Sequence, residues 1–221
     1  MNDVKVQDAP ATARPVGDRK PREERWAEIL RVAAEVFHEK GYDAATLQDI
    51  ADRVGILKGS IYYYIKTKRD LLESLLTEVH NEGLAMTRAA AGESDGVFTK
   101  LAAMIRAHID YMARNQAKAV VYLHELGGLD KERRDGLFER HEFRNEYQGI
   151  IEQGQREGLV LAELDPKLTA QAMLGCLNSV YHWYRPSYSG SHDVITRHFV
   201  LCQLRGIATL EGSRQLDTSV S

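Results

Sequence analysis

Cysteine is scarce in this chain: 221 residues hold only two, Cys176 and Cys202, far apart in sequence. That excludes a disulfide framework and a cysteine-based zinc cluster. Both lie inside apolar helical patterns, which reads as a pair of reduced core thiols. No run of about 18 apolar residues occurs, and the N-terminus is polar where a signal peptide would be hydrophobic, so a soluble, cytoplasmic protein with no membrane partner is expected. An excess of positive charge is missing too. The net charge of -3 excludes a protein that coats nucleic acid by bulk charge, and any nucleic-acid binding must come from a local patch.

Such a patch is present. Between Arg53 and Arg69 stand five cations, Arg53, Lys58, Lys66, Lys68 and Arg69, with no acid among them, a local charge of +5 in seventeen residues. It sits inside TLQDIADRVGILKGSIYYYIKTKRDLL, residues 46–72, where two short helical patterns flank a glycine turn. Upstream, residues 1–21 hold three of the five prolines (Pro10, Pro15, Pro21) and no apolar period, which suits a flexible arm. Its cations Arg14, Arg19 and Lys20, with Arg22, read as a solvated tail, with contact to a groove or to phosphates the weaker reading.

From Arg22 onward Trp26, Ile29, Leu30, Ala33 and Phe37 recur at helical steps up to Gly41, a natural C-cap. Thr46 with Asp49 is a variant capping box for a second helix that buries Leu47, Ile50, Ala51 and Val54 and ends at Gly55. Leu57 to Tyr64 makes about two turns of a third. Thr67 with Asp70 repeats the capping pattern before Leu71, Leu72, Leu75, Leu76 and Val79 drive a long fourth helix. A two-turn helix is marginal alone, so the third must be held by its neighbours through Ile56 and Ile61. That leaves Lys58, Gly59, Ser60, Tyr62 and Tyr63 for an outer face that fits a major groove. Lys58 and Ser60 can donate to base edges there, Gly59 permits close backbone approach, and tyrosine hydroxyls with Lys66 and Lys68 can hold phosphates. Thr46 at a helix N-terminus is a further phosphate ligand. Tyr64 is expected to pack inward.

Gly41, Thr46, Ile50, Ala51, Val54, Gly55, Gly59, Tyr62, Lys68, Leu71 and Leu72 together resemble the N-terminal signature of the TetR family of bacterial transcriptional regulators, over roughly residues 22–80. Leu57 departs from the Ser or Thr that many members place there, which removes a side-chain cap from the third helix. Ile65 replaces a common Phe. The resemblance implies an all-α protein with an N-terminal three-helix helix-turn-helix DNA-binding domain and a C-terminal helical ligand-binding and dimerisation domain. The corresponding division is an arm over 1–21, a reading head over 22–82, a ligand-binding and dimerisation domain over 83–211 and a flexible tail over 212–221.

Beyond a break at Gly92 to Gly96, Phe98, Leu101, Met104, Ile105, Ile109 and Met112 mark another helix. A shorter segment follows through Val120 to Leu123, then a long helix from about Lys131 to Glu157 closed by Gly158. Asp165 and Pro166 start a helix whose apolar residues surround it from Leu168 to Tyr184, and a last helix runs from about His192 to Leu210. A helix apolar all round needs a partner on every side, which predicts a homodimer. Gly158 through Pro186, with EGLV, LDP, LGCLN and HWYRP, resembles a TetR subgroup that controls fatty-acid, steroid and aromatic-acid breakdown. That resemblance implies a small effector, often an acyl-CoA thioester, and a repressor released from a pseudo-palindromic DNA operator. Arg106, His108, Tyr111, Tyr122, His124, Tyr147, His182 and Trp183 are candidates to line its cavity, against core packing as the plainer role of each.

Enzymatic signatures are missing. There is no phosphate loop, nucleophile elbow or dinucleotide fingerprint. HELGG and HEFRN lack the second histidine of a zinc hydrolase, and the spacing of His108, His124, His141 and His182 does not support a metal site. No metal or cofactor is therefore expected. The alternative to a DNA-reading regulator is a metabolite-binding helical protein that acts through a partner.

Overall fold

The computed structural model describes residues 21–129, 132, 142–185 and 192–219. Every element among them is helical except one isolated antiparallel bridge, Val160 to Ala208. The expected arm through Lys20, the start of the helix expected from Lys131, His141 and Pro186 lie outside the described residues.

Helix α1 spans Arg22–Lys40 and stops at Gly41, whose φ of 77° is costly for any residue with a Cβ. Helix α2, Leu47–Val54, begins in a complete capping box between Thr46 and Asp49 and ends at Gly55 in the left-handed conformation. Helix α3 is a single turn, Lys58–Ile61, continued as turns through Tyr64, shorter than the two turns expected. Leu57 gives it no side-chain cap, and the first bond across its start is Ser60 N–H to the Leu57 carbonyl at 2.8 Å. Helix α4, Lys68–Gly92, opens with a second complete capping box, Thr67 with Asp70.

The rest of the chain forms α5 (Val97–Arg114), α6 (Gln116–Gly128), α7 (Glu142–Arg156), α8 (Pro166–Asn178), α9 (Val180–Trp183), α10 (His192–Arg205) and α11 (Leu210–Ser219). Asp165 caps α8 by accepting from Leu168 N–H at 2.8 Å, with Pro166 in the first position. Two cores result. One joins α1 to α4 and also takes in Tyr111 and Val121 from α5 and α6. The other is built by α5, α7, α8, α10 and α11 around Ile105, Ile109, Tyr147 and Leu177. Helix α4 runs unbroken across residues 82 and 83, where the sequence suggested a division.

Three expectations are corrected. Residues 212–219 continue a packed helix: Leu216 is fully buried, and Thr209 caps α11 by accepting from Gly212 N–H at 3.0 Å. A Cβ on Gly212 would stand 2.1 Å from the Leu159 carbonyl oxygen, so only glycine lets the two backbones approach. Cys176 and Cys202 are free but exposed, because each lies on the outward side of its helix. The stretch from Leu168 to Tyr184, expected as one helix, breaks at Ser179, and α8 turns one side to the core and leaves the other uncovered within the single chain. Met173, Leu174 and Leu177 face the core, while Gln171, Ala172, Gly175 and Cys176 face outward.

Gly212→Ala is expected to lower unfolding stability by about 1–3 kcal/mol, the usual cost of forcing a group into a closed contact. Urea unfolding measures it. An unchanged midpoint would show that α11 is not docked as described.

Candidate functional site

In the reading head the side chains divide into those that build it and those left for a partner. Tyr64 stacks on Trp26, with ring centroids 5.5 Å apart and planes 7° from parallel, so it packs inward as expected. Ile61 is fully buried and Ile65 nearly so, which fixes α3 against the other three helices. The opposite side carries Leu57, Tyr62 and Tyr63, 81%, 51% and 82% exposed, together with exposed Lys58 and Gly59 and half-buried Ser60. One face of one short turn thus presents hydroxyls, an ammonium group, an aromatic surface and an unencumbered backbone.

The cations are less free than a local charge of +5 suggests. Arg53 forms a two-pronged pair with Glu39 at 2.8 and 2.6 Å, and Arg69 reaches Glu73 at 3.3 Å. Lys68 is the larger correction. Its ammonium donates to three carbonyls of the α1–α2 loop, Tyr42 at 2.7 Å, Ala45 at 2.9 Å and Asp43 at 3.1 Å, and lies over the Tyr42 ring at 4.4 Å. Three N–H donors are spent on three acceptors, so Lys68 staples the loop and has none left for phosphate. Lys58 and Lys66 form no salt bridge among the described residues, though Lys66 is near enough to Asp70 to help lower its carboxyl. Thr46 is exposed, but its hydroxyl is already in the capping box, bonded with Asp49. The Asp49 carboxyl is lowered to about 2 by the Lys40 ammonium at 2.6 Å and by the Thr46 hydroxyl and N–H.

The eight residues proposed for an effector cavity do not form one group. Tyr111 donates to Glu82 at 2.8 Å and belongs to the head's core. His124 meets Tyr181 at 2.9 Å on the surface, and the Tyr181 and His182 rings lie 3.8 Å apart there. Trp183 stacks on Phe199 at 6.0 Å. Arg106 is exposed on α5. His108, Tyr122 and Tyr147 remain in the interior between α4, α5, α6, α7 and α8. His108 bonds Asn178 at 3.1 Å, and burial lowers its pKa to about 4 against the opposing pull of that bond, which keeps it neutral near pH 7. Tyr147 is fully buried and its hydroxyl has no partner; burial raises its pKa.

Sequence reasoning missed the residue that joins these helices. His80, on α4 and 5% exposed, bonds the Tyr122 hydroxyl through Nδ1 and the Glu142 carboxylate through Nε2, both at 2.9 Å, and meets the Phe143 ring edge-on at 5.3 Å. Its signal was available: a polar residue within the apolar stripe of Leu76, Val79 and Leu84. One turn further along, a Cβ on Gly83 would stand 3.0 Å from the Phe143 ring.

With this geometry in place, comparison with known proteins gives a clear result. Residues 29–75 match the family model described as bacterial regulatory proteins, tetR family, and residues 94–207 match the model for the tetracyclin repressor-like C-terminal domain. The chain belongs to the TetR family. It is a DNA-binding transcriptional regulator. It is 26% identical over 200 residues, 90% of this chain and 98% of the relative, to the HTH-type transcriptional repressor KstR2 of Rhodococcus jostii. The solved ketosteroid transcriptional regulator KstR2 of Mycobacterium tuberculosis superposes with a TM-score of 0.76 at 26% identity, covering 89% of this chain and all of that one. AibR, solved in complex with isovaleryl coenzyme A and operator DNA, shares the fold with a TM-score of 0.73 at 23% identity, covering 80% of this chain and 97% of that one.

Lys66→Ala is expected to reduce the slope of log affinity against log salt by about one charge, without loss of stability. Lys68→Ala should do the reverse, lowering thermal stability with the slope unchanged. Fluorescence anisotropy across a salt series, beside thermal melts, separates the two. A reduced slope for Lys68→Ala in a fully folded protein would overturn the staple assignment.

Proposed function

We propose that this TetR regulator is a homodimeric repressor that leaves a pseudo-palindromic operator when a small hydrophobic or acyl-CoA effector binds its C-terminal half. The observation that carries this reading is the double membership of α4. Its first turns, through Leu71, Leu72 and Leu75, lie in the head's core. Further along, its buried His80 and Gly83 engage Tyr122, Glu142 and Phe143. A ligand that separates α7 from α5 therefore moves the helix on which the head is mounted. Linkage then requires the effector to weaken DNA binding by the factor by which DNA weakens effector binding.

Several buried side-chain atoms in the C-terminal half lack a partner, among them the Tyr147 hydroxyl, the Thr196 hydroxyl and both amide atoms of Gln203. Buried polar groups are rarely left unpaired in a finished core, so these atoms favour a polar guest there. AibR, held with isovaleryl coenzyme A and DNA, indicates that the fold can admit an acyl-CoA. Dimerisation is favoured by the outward face of α8, where Ala172, Gly175 and Cys176 let a second helix approach closely, and by Val194, His198 and Cys202 along α10. In the dimer two α3 faces would meet successive major grooves, about 34–36 Å apart.

DNase footprinting of the upstream region of the gene is expected to show a protected inverted repeat, released by long-chain acyl-CoA. Binding to random DNA as strong as to that region would refute sequence-specific reading. An acyl-CoA that binds tightly without altering operator affinity would refute the inducer role. Ala172→Arg is expected to give a monomer in sedimentation and to weaken operator binding by about a hundredfold, since half of a bivalent contact is lost. A variant that stays dimeric would move the interface elsewhere.

A further inference from the structure

Outside the interior cluster, two helical rungs face each other across a cleft of about 340 Å³ between α5 and α10. Arg106 and Asp110 line it from α5; His192, Asp193, Thr196 and Arg197 line it from α10. Each set is spaced one helical turn apart, so the side chains stand in register. Asp110 is already engaged, in close contact with His192 and 4.0 Å from Arg114. Arg106 and Arg197 have no acidic partner among the described residues. Thr196 is 6% exposed, and its hydroxyl makes no hydrogen bond, not even the common one to the carbonyl a turn earlier. Asp193, exposed at the first turn of α10, is the remaining acid.

The cleft therefore holds two unspent guanidinium groups, a buried hydroxyl and an imidazole. Two acids line it: Asp110 is neutralised by neighbours, and Asp193 forms no ion pair with either guanidinium group among the described residues. Such a set still offers more donors than the two carboxylates consume, and a planar guanidinium fork matches phosphoryl oxygens two at a time. We propose that this cleft is a phosphoryl-binding subsite that holds the charged end of the effector, with Arg106 and Arg197 as its clamps and Thr196 as a third donor. The identity of that end rests on the acyl-CoA reading above. The volume suits a phosphorylated fragment rather than a whole acyl-CoA, so the rest of the effector lies outside this cleft.

The test uses the full-length protein, isothermal titration calorimetry and three probes: coenzyme A, pantetheine and inorganic phosphate. Coenzyme A is expected to bind the wild type at least tenfold more tightly than it binds Arg106→Gln/Arg197→Gln, while pantetheine does not distinguish the two. Thr196→Val should weaken coenzyme A binding without lowering thermal stability, since it removes a hydroxyl that bonds nothing in the free protein. Coenzyme A affinity unchanged in the folded double variant overturns the subsite and leaves the acyl-CoA reading intact. If coenzyme A and acyl-CoA both fail to bind the wild type, the effector reading falls by itself. Inorganic phosphate then decides the cleft: binding lost in the double variant supports it, and no binding overturns it.

Discussion

One helix has to satisfy two cores at once. Helix α4, about 38 Å long at the usual rise per residue, is buried at its start among α1 to α3 and further along among α5, α6 and α7. A rigid element shared in this way cannot shift at one end without shifting at the other. The two capping boxes, the Gly41 stop and the Lys68 staple serve this arrangement, because they fix the orientation in which α3 leaves the body. His80 is the counterpart at the other end. An imidazole between a tyrosine hydroxyl and a carboxylate holds α4 to α6 and α7 through directional bonds, where apolar packing alone would let the helices slide.

The head also shows how a chain of net charge -3 approaches a polyanion. Most of its cations are consumed in building it: Arg53 on Glu39, Arg69 on Glu73, Lys40 on Asp49 and Lys68 on backbone carbonyls. The three ion pairs are partly exposed and individually weak, and their main effect is to remove positive charge from indiscriminate use. What remains exposed around α3 is short and local: Lys58, Lys66 and the hydroxyls of Tyr62 and Tyr63. With these groups as the proposed contacts, few phosphates would be met, salt dependence would be modest, and affinity would lean on the fit of α3 to its groove.

Local rules made the head legible. Thr46 with Asp49, Thr67 with Asp70 and the glycines at 41 and 55 each depend on a few neighbouring residues, and so does the alternation that buries Ile61 and exposes Tyr63. Lys68 was misjudged because its partners lie more than twenty residues away, in a loop whose path sequence does not specify. The same reason hid His80, whose partners are 42 and 62 residues distant. The C-terminal half was legible as helices but not as a cavity. Helical spacing says which residues share a face and not which faces meet, so the eight candidates scattered to the core, the surface and the rim of a cleft. The tail at 212–219 was missed because its anchor is a glycine and one leucine, a signal too small to register as a helix.

Coupling through α4 can be measured as a distance. With Cys176→Ser and Cys202→Ser removing the exposed thiols, a spin label at His38→Cys, exposed on α1 rather than on the α3 face, in each protomer of the proposed dimer reports the separation of the two heads by pulsed electron resonance. Operator DNA should narrow that distance to a single distribution, and long-chain acyl-CoA should move the mean to a different value, an effect lost in His80→Ala. A distance that stays the same with acyl-CoA bound, or a shift that survives unchanged in a folded His80→Ala protein, would contradict the role given to this helix.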